Sequence, residues 1–388
     1  MKNKTLDTRI YWIVVVLIFS AGSFYFGFQK RNQLSGTENN CTISVTGQRL
    51  IIEGGKKWNR CLLAPDETLY FSDNIKSTDG GKTFVAHKDI DINPLIAQPE
   101  RAILSSKDIV YALDGPTKIE SPGVYSVVCW KSDDNLKTIQ EGKATINIPN
   151  GPEKQFENDQ WNGLFVYRTI LQMPDGSWLA TMYGNFNTDT IVPHEDDAKQ
   201  ELKFMMNTFV VKSIDKGHTW NYLSTIAVPR SGDPVGEGFV EPAITILNDG
   251  RLLCIMRAGH HFPLYSSWSS DGGLTWTAPL YSGLDRGCDP CMITLRDGRV
   301  ALSWGRRFPE GWSQVTSEGD KGRFVYPGEG YTSLSISDDG GITWETSRID
   351  ENTGSCYSTI FEIEPNVLFC QVDSWSWRIS LKPQTDRK

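Results

Sequence analysis

The chain has 388 residues, with 39 basic and 47 acidic side chains and a formal charge of −8. This length fits two average domains or one closed all-β unit. The acidic balance, without a Lys/Arg run longer than three residues, excludes nucleic acid as an expected partner. The 35 Gly, 19 Pro, 17 Phe, 13 Tyr and 13 Trp residues are typical of short strands separated by turns and predict an all-β fold.

The first predicted element is a membrane segment. Residues 10–28 are almost all apolar or small, close to the ~20 residues that a helix needs to cross a bilayer. Lys2, Lys4 and Arg9 precede this segment, which favours a cytoplasmic N-terminus. The alternative is a cleaved signal peptide, because Ser20-Ala21-Gly22 offers small residues after the apolar stretch.

Both alternatives place the rest of the chain outside the cytoplasm. The sequence predicts an N-terminal membrane anchor or uncleaved signal over 1–31, a linker over 32–44 and one folded domain over 45–383. We therefore expect a membrane-anchored protein with its domain in the periplasm or at the cell surface, or a secreted protein if the segment is cleaved.

A repeated turn motif of the form Ser-x-Asp-x-Gly-x-Thr-Trp/Phe follows. Four good copies and one worn copy occur, at Ser77–Phe84, Ser132–Ile139 (worn), Ser213–Trp220, Ser269–Trp276 and Ser337–Trp344. In each good copy the Asp can accept hydrogen bonds from its own turn, the Gly tolerates a positive φ and the aromatic ring can pack beneath. The motif therefore predicts a structural turn between two strands.

A second repeat consists of two apolar strands joined by a tight turn. The turns lie at Pro65-Asp66, Lys107-Asp108, Asp175-Gly176, Asp249-Gly250, Asp297-Gly298 and Glu364-Pro365-Asn366. Only 23 residues follow Pro365, so we expect a strand from Cys41–Ile52 to complete the last unit. Six hairpins predict six blades of four strands each.

The turn motif resembles the Asp-box, or BNR repeat, of the sialidase (neuraminidase) superfamily. The resemblance covers roughly residues 45–380 and implies a six-bladed β-propeller in which the Asp-box aspartates are structural. It also implies a hydrolase, specifically a glycosidase of carbohydrate metabolism, that needs no organic cofactor. No loop of the sequence indicates a metal site, although calcium stays open.

Hairpin geometry independently selects residues that share one face. The start of each first strand lies at the end opposite the turn. Counting eight residues back from the turns gives Trp58, Glu100, Tyr167, Glu241, Asp289 and Tyr357, with Arg60, Arg101 and Arg168 beside them. A concave mouth lined by Arg, Glu and Tyr suits an anionic or hydroxyl-rich ligand. The alternative is that these charges only pair with one another between blades.

The resemblance assigns roles to several of these residues. Glu241 and Arg257, sixteen residues apart, match a Glu/Arg pair that faces the sialidase active site, and Tyr357 matches the nucleophile of the last blade. Glu241 would be the base for Tyr357, because a free tyrosine is a poor nucleophile at neutral pH. Arg257 would bind the substrate carboxylate, with Arg60, Arg168, Arg306 and His260 as further substrate-binding candidates, and Asp73 would be the acid/base.

We therefore expect an exported exo-glycosidase acting on a terminal acidic sugar, with an exo-α-sialidase as the leading hypothesis. A hydrolase or lyase acting on a uronic-acid glycan and a non-catalytic glycan-binding propeller are the alternatives. The expected partners are a glycan, anionic in character, and the membrane through residues 10–28, with the protein a monomer. Cys288 and Cys291 could form a disulfide, whereas a zinc site lacks further ligands nearby.

Overall fold

The computed structural model describes residues 43–44, 50–51, 60–72, 74–96, 98, 101–107, 109–153, 163–192, 204–231, 233, 235–258, 263–285, 287–306, 331–350 and 357–382. The chain divides into Met1–Asn40 and Cys41–Lys388, and all described residues belong to the second unit. The described residues of that unit form β-strands and one short helix, α1 (Asn93–Ile96). The all-β prediction is confirmed.

The strands of the described chain are, in order, β1 (Ile43–Ser44), β2 (Leu50–Ile51), β3 (Leu62–Leu63), β4 (Leu69–Phe71), β5 (Ile75–Ser77), β6 (Val85–Ala86), β7 (Ala102–Ser106), β8 (Ile109–Leu113), β9 (Lys118–Ser121), β10 (Val124–Ser132), β11 (Gln140–Asn147), β12 (Leu164–Gln172), β13 (Trp178–Gly184), β14 (Asn207–Ser213), β15 (Thr219–Ala227), β16 (Val240–Ile246), β17 (Leu252–Arg257), β18 (Tyr265–Ser269), β19 (Leu280–Tyr281), β20 (Gly287–Thr294), β21 (Val300–Arg306), β22 (Tyr331–Ser337), β23 (Glu345–Asp350), β24 (Ser358–Glu364), β25 (Val367–Val372) and β26 (Trp375–Leu381).

These strands form five hydrogen-bonded sheets. Sheet I has the order β3-β4-β5-β6, sheet III β16-β17-β18-β19 and sheet IV β20-β21-β22-β23, whereas sheet II contains the nine strands β7–β15. Sheet V has the order β1-β26-β25-β24, and β2 also pairs with β26. The six expected hairpins are all present as the antiparallel pairs β3/β4, β7/β8, β12/β13, β16/β17, β20/β21 and β24/β25.

The prediction of a six-bladed propeller with four-stranded blades is wrong, because two of the expected units are joined in sheet II. β12 pairs in parallel with β7 at Thr169 and Ile103. β11 pairs in parallel with β15 through Thr145–Asn147 and Thr219–Asn221. Parallel pairing of strands that are distant in the sequence depends on tertiary packing, which hairpin counting does not detect.

The chain closes on itself in sheet V, as the sequence predicts. Ile43 of β1 lies opposite Leu381 of β26, and Leu50 of β2 lies opposite Ser376. Sheet V also contacts sheet I, because the rings of Phe369 and Phe71 meet edge to face at 5.8 Å. N-terminal and C-terminal strands therefore share one sheet, which covers edges that would otherwise be exposed.

The repeated turns form the predicted hydrogen-bond network. In the copy at Ser337–Trp344, Asp339 accepts hydrogen bonds from Ser337 Oγ at 2.7 Å, from the amides of Ile342 and Thr343 at 3.0 and 2.9 Å, and from Thr343 Oγ1 at 2.6 Å. The worn copy repeats this pattern around Asp134. The structural role predicted for these aspartates is confirmed.

In two copies of the motif, the second position after the aspartate also requires glycine for packing. Gly341 has a φ of 88°, and a Cβ atom placed on it would lie 2.4 Å from Leu253 Cδ2. Gly81, in the first copy, would place a Cβ 2.3 Å from the Phe369 ring. These two turns therefore press their backbones against the neighbouring sheet at points where a Cβ atom would clash.

The prediction of a transmembrane anchor is not upheld: within the residues that the structure describes, no helix is both long enough and apolar enough to cross a bilayer. The membrane-anchored location is withdrawn on this finding. The expected segment, residues 10–28, lies outside the described residues. Cys288 and Cys291 are not joined to each other, so the considered disulfide is absent.

Candidate active site

The first strands of three hairpins, β12, β16 and β20, each contain a β-bulge at the end opposite the turn. The antiparallel register shifts between Tyr167 and Ile170 in β12, between Val240 and Ala243 in β16, and between Cys288 and Cys291 in β20. Within these bulges, the backbones of Arg168, Glu241 and Asp289 have φ values of 61°, 48° and 46°. Bulges re-aim side chains, and left-handed non-glycine residues are costly, so three such residues at one end mark a candidate site.

The first group of contacts joins β12, β20 and β24. Arg168 Nη2 lies 2.5 Å from Asp289 Oδ2 and donates to the carbonyl of Ser358 at 2.5 Å. The hydroxyl of Tyr167 donates to Asp289 Oδ1. Asp289, Tyr167 and Arg168 are 0, 1 and 4% exposed, so this carboxylate is held by a phenol and a guanidinium in an almost fully desolvated position.

The second group joins β16, β17 and β20. Glu241 Oε2 accepts a hydrogen bond from the backbone amide of Asp289 at 2.8 Å and lies 2.9 Å from Arg257 Nε. Arg257 Nη2 lies 2.5 Å from Glu237 Oε1. All three side chains are buried. Because the Asp289 amide binds Glu241 and the Asp289 carboxylate binds Arg168, the two groups form one continuous network.

Arg60, just before β3, completes the positive side of the site. Its Nη1 donates to the carbonyl of Arg101 at 2.8 Å, and its side chain is buried. Burial and, to a smaller extent, the neighbouring Arg168 charge lower the pKa of Arg60 to about 10. Asp289 acts in the opposite direction but is weaker. No described atom hydrogen-bonds to the Nε of Arg60 or of Arg168. Two buried guanidinium groups therefore lie close enough to repel each other.

Electrostatic effects in the network differ between the groups. Burial raises the pKa of Asp289 to about 7, although Arg168 and Arg60 act in the opposite direction. Burial lowers the pKa of Arg168, but the opposing effects of Asp289, Cys291 and Tyr167 together outweigh burial, so the pKa is raised. Burial, followed by Asp289, Glu241 and Tyr357, raises the pKa of Tyr167 well above its usual value. The centre of the network thus retains protons that exposed groups would lose.

Tyr357 lies at the edge of this network. It directly precedes β24 and is half-buried, and its charge contributes to the raised pKa of Tyr167. Arg168 holds the carbonyl of the next residue, Ser358, which fixes the start of β24. Tyr357 is therefore more accessible than Tyr167 and lies near enough to affect its pKa.

The structure brings together Glu241, Arg257, Arg60, Arg168 and Tyr357 of the sequence-predicted site residues. Asp73 and His260 lie outside the described residues, as do Trp58 and Glu100 of the predicted face. Arg306 is the last residue of β21, and only its strand position is described. Arg101, which also belongs to the predicted face, packs its guanidinium 4.1 Å above the Trp130 ring instead and pairs with Asp114 at 3.3 Å.

The roles of Asp289, Tyr167 and Glu237 were not anticipated. Asp289 precedes its Asp-Gly turn by the same eight residues as Glu241, and each is followed by proline, at Pro290 and Pro242. This shared acid-Pro spacing was the available signal for a second functional carboxylate. No comparable pattern marks Glu237, which reaches Arg257 from the segment before β16.

The arrangement offers three chemical functions within one buried network. Guanidinium groups bind carboxylates, carboxylates accept protons, and a half-buried phenol is a potential nucleophile. None of the described residues forms a His/Cys/Asp/Glu group arranged to hold a metal ion.

Comparison with known proteins shows which fold the chain resembles. A family model described as a BNR repeat-like domain matches residues 126–308, which include Tyr167, Glu241 and Asp289. No curated protein matches the chain. Among solved structures, a protein of unknown function from Dyadobacter fermentans DSM 18053 is 16% identical, covers 88% of this chain and 100% of that chain, and has a TM-score of 0.57.

Two sialidase structures are also similar in fold. The Hadza microbial sialidase Hz136 is 15% identical with a TM-score of 0.54, covering 84% of this chain and 66% of that chain. The NanB sialidase from Streptococcus pneumoniae is 13% identical with a TM-score of 0.50, covering 86% and 70%. The chain has a BNR-repeat, sialidase-like fold of the kind found in glycoside hydrolases. At these identities the similarity shows the fold alone.

Proposed function

We propose that the protein is a glycoside hydrolase that removes a terminal acidic sugar, with a sialic acid as the leading substrate. The observation that carries this proposal is the buried pair Arg60 and Arg168, whose Nε atoms lack described partners. A substrate carboxylate placed between them would relieve their mutual repulsion and satisfy both donors. Arg257, paired with Glu241 and Glu237, supplies a third guanidinium to the same network.

The proposed reaction uses Tyr357 as nucleophile. Its oxygen bonds to the anomeric carbon as the glycosidic C–O bond breaks, and Glu241 takes the phenol proton. A neutral phenol suits this substrate, since the substrate carboxylate would repel an Asp or Glu nucleophile. Asp73 is the proposed acid that protonates the leaving oxygen, and water then releases the sugar from Tyr357.

A second candidate is cleavage of a uronic-acid glycan. It is favoured by the ion pair between Arg168 and Asp289, because a neutralised arginine leaves less positive charge than three unpaired arginines would. Such a site would suit a carboxylate that needs fewer guanidinium contacts.

The test is release of a fluorescent aglycone from an α-sialoside, beside a panel of α- and β-uronides, by the full chain. Tyr357→Phe should reduce kcat on the order of 10³-fold or more, because it removes the attacking oxygen. Tyr281→Phe is the matched control, since Tyr281 is 53% exposed and lies outside the network. Arg60→Met should raise KM more than it lowers kcat, because Arg60 is proposed to bind substrate.

Each outcome has a separate meaning. Sialoside turnover that Tyr357→Phe abolishes would support the sialidase hypothesis, and turnover of uronides alone would favour the second candidate. Sialoside or uronide binding without turnover by the wild type would point to a glycan-binding protein. Unchanged turnover in Tyr357→Phe would contradict the proposed nucleophile.

A further inference from the structure

A separate cavity lies at one side of sheet II. Its volume is about 330 Å³, within the ~300–1,000 Å³ typical of small-molecule sites. Asn150 follows β11, Phe186 and Asp189 follow β13, Asn207 begins β14, and Tyr222 lies in β15. None of these residues belongs to the Arg168–Asp289 network. We call this space the lateral cavity.

Two aromatic rings form the apolar part of the lateral cavity. The Phe186 ring meets the Tyr222 ring edge to face at 6.2 Å, and Phe209 supports both rings at 5.1 and 6.1 Å. Phe209 is fully buried, so it holds the other two rings in place from the core. Fixed aromatic rings at the boundary of a cavity suit the C–H face of a sugar ring, which is apolar while its rim is polar.

Hydrogen bonds hold the polar side chains of the lateral cavity in position. Asp189 Oδ2 accepts hydrogen bonds from the Phe186 amide and from Asn207 Nδ2, each at 2.7 Å. The hydroxyls of Tyr222 and Thr225 lie 2.8 Å apart. Carboxylate, amide and hydroxyl side chains each combine donors or acceptors that match the hydroxyl groups of a pyranose. These side chains are pre-oriented by contacts inside the protein, so ordering them on binding costs little.

Charge distinguishes the lateral cavity from the arginine-rich site. Among the described residues that line it, Asp189 is charged and none is basic. The Asp189 carboxylate repels a nearby anion, and the burial that raises the pKa of Asp189 also disfavours a second negative charge placed beside it. An acidic sugar is therefore excluded here, whereas an uncharged sugar meets an aromatic surface and several hydrogen-bonding groups.

We propose that the lateral cavity is a binding site for one neutral pyranose unit, distinct from the candidate active site. Pyranose binding in the lateral cavity does not require turnover, so it can be tested independently of the proposed glycosidase activity. Val228 and Thr188 border the cavity and are exposed, so a large side chain at either position would fill it without disturbing the core.

The test is saturation-transfer NMR of the full chain with the methyl glycosides of galactose, glucose, mannose and N-acetylglucosamine. We expect at least one to bind, and Val228→Trp to weaken that binding at least about tenfold by steric exclusion. Ile214→Trp is the matched control, because Ile214 is 83% exposed and outside the cavity. Thr188→Trp is a second blocking variant, used if Val228→Trp does not fold.

Binding lost in a folded blocking variant and retained in Ile214→Trp would support the proposal. Absence of binding by all four glycosides to the wild type would overturn it. Retained binding in both folded blocking variants, or equal loss in Ile214→Trp, would also overturn it, because the sugar would then occupy another surface.

Discussion

Asp289 provides a direct test of the electrostatics of the candidate site. Its carboxylate is fully buried between Arg168 and Tyr167, and its pKa is raised to about 7. An unfolded aspartate has a pKa of about 3.9. Between these values the folded protein binds a proton that the unfolded chain has lost, so the free energy of unfolding falls as the pH rises.

The magnitude follows from the size of the shift. One pKa unit corresponds to about 1.4 kcal/mol, and the shift from about 3.9 to about 7 is roughly three units, so the full effect is about 4 kcal/mol. Asp289→Asn cannot titrate. The free energy of unfolding of the wild type, relative to that of Asp289→Asn, should therefore decrease by up to about 4 kcal/mol between about pH 4 and pH 7.

Urea unfolding followed by tryptophan fluorescence at about pH 4.5, 5.5, 6.5 and 7.5 measures this difference. The slope with pH is the informative quantity, because any constant effect of asparagine on packing cancels. Asp134→Asn is the matched control, because hydrogen bonds from Thr138 lower the pKa of Asp134 to about 2. The difference in the free energy of unfolding between the wild type and Asp134→Asn should therefore be nearly constant in this pH range. A flat or rising difference for Asp289→Asn would refute the reasoning, since attraction by Arg168 would then outweigh burial.

Three further predictions concern the repeated turns. Asp339→Ala should lower the free energy of unfolding by about 1–3 kcal/mol, because four hydrogen bonds to the carboxylate are lost, whereas exposed Ile342→Ala should change it by less than about 0.5 kcal/mol in the same urea titration. Gly250→Ala should cost about 1–2 kcal/mol from its φ of 86° alone. Gly341→Ala should cost about 1–3 kcal/mol more than Gly250→Ala, since only its Cβ clashes with Leu253, and equal melting temperatures for the two variants would contradict this.

Local features of the fold could be predicted because their causes lie within a few residues. The Asp-box hydrogen bonds join residues two to four positions apart, as between Asp339 and Thr343. The hairpin turns likewise depend on neighbouring Asp and Gly residues. The pairing of β1 and β2 with β26 was predictable for a different reason: the last unit lacked enough chain after Pro365, so another segment had to supply the missing strand.

The joining of β7–β15 into one sheet had no comparable local cause. Thr145–Asn147 pairs with Thr219–Asn221 across more than 70 residues, and no turn residue connects these strands. The pairing depends on how the sheet edges approach in the folded state, and β-propensity is too dependent on context to reveal it.

The candidate site shows the same division between local and tertiary causes. Spacing from the turns placed Glu241, Asp289 and Tyr357 at one end of the strands, but it could not show which partners they have. Asp289 was expected to face the site, yet its position within the β-bulge of β20 lets its backbone amide donate to Glu241 while its carboxylate pairs with Arg168. Because the Asp289 carboxylate pairs with Arg168 and its charge also acts on Glu241, a change in that charge should affect Arg168 and Glu241 together. Substrate affinity and the pH dependence of turnover should therefore change in parallel in Asp289→Asn, and a shift in only one of them would show that the two groups act separately.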